Sequence, residues 1–335
     1  MWRTAIASGL STGRGSRGTI YTFAAGNGAT GSQACPSCVD NSNYDGYANN
    51  RGVIAVAAVN DQGVNSSYAE PGANIWISAP GGEFCDTHTI TTTDRTGGAA
   101  GYNLSATVGD YTNKNYTQCM NGTSAATPGA AGVIALILEA NPALGWRDVR
   151  LILAQSARKN DPLDGGWTTS VTTPPYDFNH KYGFGVIDAD AAVTLATTPL
   201  WTNVVAELTF TTPLASPNLA IPDNDATGVS NTINVTLSGV AKIEFIEITF
   251  SATNHTYSGD LEITLTSPLG ATVFSRLAET HACVSNVCTA YNGWVFGSAR
   301  HLGEAANGNW ILTVKDLAAQ DTGTFQSWML KFYGT

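Results

Sequence analysis

Charge is scarce in this chain. Only 13% of its 335 residues are Asp, Glu, Lys or Arg, and acids outnumber bases by 26 to 16. With a net charge of −10 there is no basic surplus to meet a phosphate backbone or an anionic bilayer, so neither nucleic acid nor a membrane is an expected partner. No apolar run reaches the roughly 18 residues of a spanning helix, and the opening Met1-Trp2-Arg3 has no leader pattern. What is plentiful is apolar and small: 43% hydrophobic residues and 35 glycines. That composition excludes a disordered chain and suffices for two domains of roughly 150 residues.

Cysteine is sparse but even in number. The six fall as three near pairs, Cys35/Cys38, Cys85/Cys119 and Cys283/Cys288. Cys35-Pro-Ser-Cys38 has the spacing of a zinc ligand pair, yet no second such pair or histidine pair completes a site. An even count among many Thr, Ser and Asn residues suits disulfides in an oxidising compartment, hence a secreted, extracellular or periplasmic protein.

Up to about residue 198 strands alternate with helices. Gly18 to Ala25, Val53 to Val59 and Ile75 to Ala79 are short apolar runs, as in a parallel sheet covered on both faces. Helical spacing follows over Ser124 to Ala140, Trp146 to Ala157 and Asp188 to Thr197. Beyond Leu200 helix signals cease. Ile243 to Phe250, Leu261 to Thr266, Trp310 to Lys315 and Trp328 to Tyr333 alternate apolar with polar residues, with turns such as Ser267-Pro-Leu-Gly270 between them. The reading is an α/β unit over residues 1–198 and an all-β sandwich over 200–335.

One octet carries chemistry: Asn121-Gly-Thr-Ser124-Ala-Ala-Thr-Pro128, running directly into an apolar helix. A serine there has its backbone N–H at a helix N-terminus, where it can face a developing oxyanion. Pro128 is expected in the first helical turn. By itself a Ser or Thr before an apolar helix is an ordinary cap. The whole octet, with Phe23-Ala-Ala-Gly-Asn27-Gly28 about a hundred residues earlier, resembles the subtilisin family of serine proteases. That resemblance implies Ser124 as nucleophile and Asn27 as a side-chain donor to the oxyanion hole. Asn43-Tyr-Asp45-Gly-Tyr47 resembles the kexin-like, proprotein convertase branch. It implies Asp45 as the carboxylate that selects a basic P1 side chain, and Asp40 with Glu70 as ligands of a calcium ion. His255-Thr-Tyr-Ser-Gly-Asp260, Gly308-Asn-Trp310 and Asp321-Thr-Gly-Thr-Phe-Gln-Ser-Trp328 resemble the P domain (Homo B) that follows the catalytic domain in that branch. The implied fold is a subtilisin-like parallel sheet with flanking helices, incomplete, followed by a jelly-roll-like sandwich. Asp260, Asp316 and Asp321 read as turn acids rather than as a cation site.

The resemblance also implies an Asp and a His upstream of Asn27. None of the 26 residues before Asn27 is Asp or His, and none of His88, His180, His255, His281 and His301 precedes Gly-Thr. His88 reads as a loop residue and the others as loop or core residues. The expectation is a serine endopeptidase by family, acting on peptide or protein substrates. This chain is expected to be inactive without the N-terminal half of its catalytic domain, a missing partner that would also cover the open sheet. The competing reading is a non-catalytic relic whose sandwich serves as a binding or stabilising module.

Overall fold

The computed structural model describes residues 1–335 apart from 32–37, 86–88, 107–108, 200, 284–287 and 289. Cys35 and His88 therefore lie outside the described residues.

The first unit is built on three parallel strands, β1 (Tyr21–Ala24), β2 (Val53–Val59) and β3 (Ile75–Pro80), in that spatial order. β2 is the middle strand and every one of its residues is buried. Its alternation of Val and Ile with Ala lets helices pack closely on it. A helix absent from the sequence reading, α1 (Trp2–Ser16), precedes β1. Its Ile6 and Leu10 lie over Gly52, where a Cβ would stand 2.9 and 2.6 Å from them. A hairpin of β4 (Ile90–Thr93) and β5 (Tyr116–Met120) leads into α2 (Thr123–Ala140), which runs along β1, β2 and β3. α3 (Trp146–Ser156), the small ladder of β6 (Thr168–Thr169) and β7 (Asp177–Phe178), and α4 (Ala189–Thr197) complete the unit.

α2 corrects two expectations. It begins at Thr123, so Pro128 is its sixth residue, inside the helix. The missing N–H of Pro128 leaves the Ser124 carbonyl without its helical donor. Being continuous over 18 residues, α2 is also long and apolar enough, by length and composition, to cross a membrane, alone among the described residues. Here Ala126, Ala130, Ile134 and Ile137 are buried in the core, while Gly129, Ala131, Gly132, Ala135 and Leu136 face outward.

The second unit is a sandwich of strands β8 (Leu208–Thr211), β9 (Leu219–Ile221), β10 (Asp225–Val235), β11 (Ile243–Thr253), β12 (Leu261–Thr266), β13 (Phe274–Ala278), β14 (Trp294–Ser298), β15 (Gly308–Asp316) and β16 (Gly323–Gly334). One sheet has the order β10-β15-β12-β13, the other β14-β11-β16-β8, with β9 also on β16. Period-two burial fills the space between them: Leu261, Ile263 and Leu265 from β12, Trp310, Leu312 and Val314 from β15, Phe325, Trp328, Leu330 and Phe332 from β16. Asp316 and His255 are buried there too, Nε2 to Oδ2 at 3.1 Å, so Asp316 is not the exposed turn acid the sequence suggested.

The two units share a core. Phe245, Ala299, Leu302 and Tyr333 of the sandwich pack in one apolar cluster with Ile54, Trp76 and Val149. Polar clamps surround that contact. Arg147 donates to both oxygens of Glu244 and to the Val205 carbonyl. Arg150 lies over the Trp76 ring, 3.9 Å from its centre.

Candidate functional site

The turn before α2 takes its shape from Gly122, whose φ of 104° is closed to L side chains. Its N–H donates to the Tyr68 hydroxyl at 2.7 Å, and that hydroxyl in turn reaches the Gly81 and Gly82 carbonyls. Burial holds the Tyr68 phenol above its ordinary pKa, so it stays neutral and able to donate. Thr123 follows, fully buried. Its N–H and Oγ1 both donate to Asn27 Oδ1, at 2.9 and 2.8 Å. With the carbonyl end so engaged, the Asn27 carboxamide turns its two Nδ2–H donors away from Thr123. Ser124 is next, exposed at the second helical position, and its N–H has no acceptor among the described residues. A cavity of about 540 Å³ opens here, lined by Asn27, Tyr68, Phe84, Asn121 and Gly122. The fold thus brings Asn27, which lines the cavity, close to Ser124 from 97 residues away: a Cβ on Gly122 would stand 3.6 Å from both Asn27 Nδ2 and the Ser124 N. Sequence reasoning missed Thr123 and Tyr68, the residues that aim these two. Thr123 lay inside the octet, while nothing local marks Tyr68.

Asp40 and Glu70 also meet, behind the Asn27 turn. Glu70 Oε1 accepts from the Gly28 N–H at 2.8 Å. A Cβ on Gly26 would fall on the Glu70 carboxylate, and one on Gly28 would stand 2.6 Å from Asp40 Cβ. Two glycines therefore make room for two acids. Burial, with Asp40 as the next cause, pushes the Glu70 carboxyl up to about 8. Paired carboxyls held in such a cradle of main-chain groups fit a hard divalent cation, which would relieve both the repulsion and the desolvation.

Asp45 does not line the cavity beside Ser124. It is exposed, with Oδ1 accepting from the Tyr47 N–H. The segment that carries it is pinned to the sandwich. Buried Asn43 pairs through both ends of its amide with the N–H and C=O of Gly297, at 2.7 and 3.0 Å. Asn49 Nδ2 donates to the Val295 carbonyl and Trp294 Nε1 to that of Asn43.

Cys85 and Cys119 form a disulfide, as do Cys283 and Cys288, and Cys38 is disulfide-bonded. His180, His255 and His301 are structural. His180 accepts from the Arg276 N–H at 2.9 Å, and burial lowers its pKa to about 3, keeping it neutral. His301 is buried between Ser275 and Glu304.

A three-stranded parallel sheet, an exposed serine on a glycine-shaped turn at a helix start, and an appended sandwich define the class of serine proteases with a subtilisin-like fold. The chain belongs to the Subtilase family, which it matches over residues 1–185, and residues 244–332 match the Proprotein convertase P-domain. It is 31% identical over 340 residues to human proprotein convertase subtilisin/kexin type 7, covering 99% of this chain and 40% of that protein. To a calcium-dependent protease of Trichormus variabilis it is 34% identical over 331 residues, 97% of this chain and 46% of the relative. The crystal structure of a serine protease of Aeromonas sobria superposes with a TM-score of 0.83 at 26% identity, over 100% of this chain and 68% of the other. The chain spans less than half the length of these curated relatives.

Proposed function

We propose that this chain carries the nucleophile half of a kexin-type serine endopeptidase. The supporting observation is the Asn27 carboxamide, fixed through Thr123 beside Ser124. Ser124 Oγ attacks the scissile carbonyl, and Asn27 Nδ2 with the Ser124 N–H receives the oxyanion. The proton leaves Oγ for a histidine oriented by an aspartate, both contributed by a polypeptide outside this sequence. Asp45 then meets a Lys or Arg side chain at P1, the pairing a carboxylate makes best with a guanidinium. Asp40 and Glu70 would hold Ca²⁺, which stiffens the segment between Asn27 and Asp45. Residues 1–198 are taken as the C-terminal part of the catalytic domain and 200–335 as the P domain, in a protein working outside the cytosol.

An active-site fluorophosphonate tests the reading. The chain alone is expected to resist labelling. Mixed with a subtilase N-terminal half bearing the Asp and His, it should label at Ser124, and Ser124→Ala should abolish this. Labelling elsewhere, or none with a half shown to bind, sinks the catalytic reading and leaves the sandwich as the functional part.

A further inference from the structure

The Cys283–Cys288 disulfide has a histidine beside it. Ligand atoms of His281, Cys283 and Cys288 all lie within 4.8 Å of one another, and all three residues are half-buried. His281 Nδ1 donates to the Glu279 carbonyl at 2.9 Å, which fixes the proton there and leaves the Nε2 lone pair free to bind. The ring is further held against Tyr44, centres 4.7 Å apart. A cavity of about 540 Å³ gives access, lined by His281, Cys283, Cys288 and also Asp40. Ligand atoms around a tetrahedral zinc ion stand roughly 4 Å apart, so once the S–S bond is open the two sulfurs part by about 2 Å to reach that geometry.

We propose that, once its disulfide is reduced, this trio is a binding site for one thiophilic divalent cation of the zinc type. Two thiolates and one imidazole supply three ligands, and the fourth position opens on the cavity. This site is separate from the Asp40–Glu70 pair, whose all-oxygen character suits calcium. The Cys283–Cys288 bond is placed to open before Cys85–Cys119. It spans a sequence separation of 5, against 34 for Cys85–Cys119, and so draws less stabilisation from loop closure. With a trialkylphosphine as reductant, the S–S bond breaks, the phosphine takes oxygen from water as its oxide, and the two hydrogens of that water end on the two sulfurs. Binding of the cation then releases both thiol protons to solvent.

Cadmium is the probe, read by its ultraviolet thiolate charge-transfer band, with circular dichroism to follow folding and mass-spectrometric thiol mapping to show which bonds are open. The oxidised chain should give no band. The reduced, still folded chain should bind one equivalent that Cys283→Ser/Cys288→Ser lacks. His281→Ala should weaken that equivalent about ten-fold or more. The proposal is overturned if the double variant or His281→Ala binds as the parent does. It is equally overturned if the band arises only where circular dichroism shows an unfolded chain.

Discussion

At the residue scale the site rests on one carboxamide. Asn27→Ala removes the acceptor of two hydrogen bonds from buried Thr123, and unfolding free energy should fall by about 1–3 kcal/mol. In the chain completed by its N-terminal half, turnover should fall by about 10²–10³, the scale of a single oxyanion donor lost in a subtilisin. Urea melts and peptide hydrolysis separate the two effects, and a destabilised variant with undiminished turnover would remove Asn27 from catalysis. Glu70 gives a second prediction. Folding holds its proton up to about pH 8, whereas an unfolded chain releases it near 4.5. The folded state binds that proton more tightly, so the contribution is complete below about 4.5 and is lost as pH rises toward 8, by a few kcal/mol. Metal-free melts should weaken over that window, Glu70→Gln should flatten the slope, and Ca²⁺ should stabilise more at pH 8 than at pH 5. An unchanged slope in Glu70→Gln would assign the effect elsewhere. Ser124 and Asn27 were legible because each sits in a short motif. The Tyr68 hydroxyl was not, since its bond to Gly122 joins residues 54 apart and has no local signature.

At the scale of elements, the strands β2, β3, β11, β12, β15 and β16 could be read from their apolar patterns, which burial then followed. α1 could not: its composition is Gly, Ser, Thr and Arg around a few apolar residues, and it breaks at Gly13–Gly15, where the backbone leaves helical angles. Its stability comes from Ile6 and Leu10 on Gly52, a tertiary contact. Nor did the sequence show how α3 meets β11. Arg147 and Glu244 form a nearly buried fork-to-fork pair there, and Glu244 holds the guanidinium charged. Glu244→Ala strands that charge and should cost about 2–4 kcal/mol. Arg147→Met with Glu244→Leu should recover most of the loss, because desolvation is then relieved on both sides. A double variant as weak as the single one would show that packing, not the uncompensated charge, sets the cost.

At the scale of the whole molecule, the two units are unequally equipped. The sandwich core is built almost wholly from its own residues, Trp310, Trp328, Phe250 and Phe332 among them, with only Ala73 and Tyr44 of the α/β unit joining it. The core of the α/β unit instead borrows Phe245, Ala299, Leu302 and Tyr333 from the sandwich. Among the described residues β1 pairs only with β2, leaving a strand edge, and one side of α2 presents Ala135 and Leu136 outward. The segment around Asp45 also owes its shape to the sandwich, through Asn43 on Gly297 and Asn49 on Val295. Residues 200–335 expressed alone should therefore melt cooperatively. Residues 1–198 alone should show no cooperative transition and should aggregate, with fast amide exchange across 41–49. Differential scanning calorimetry and hydrogen exchange on the two pieces decide this. A cooperative melt of 1–198 would mean that the parallel sheet holds its own fold, and that the sandwich is a passenger rather than the support of segment 41–49.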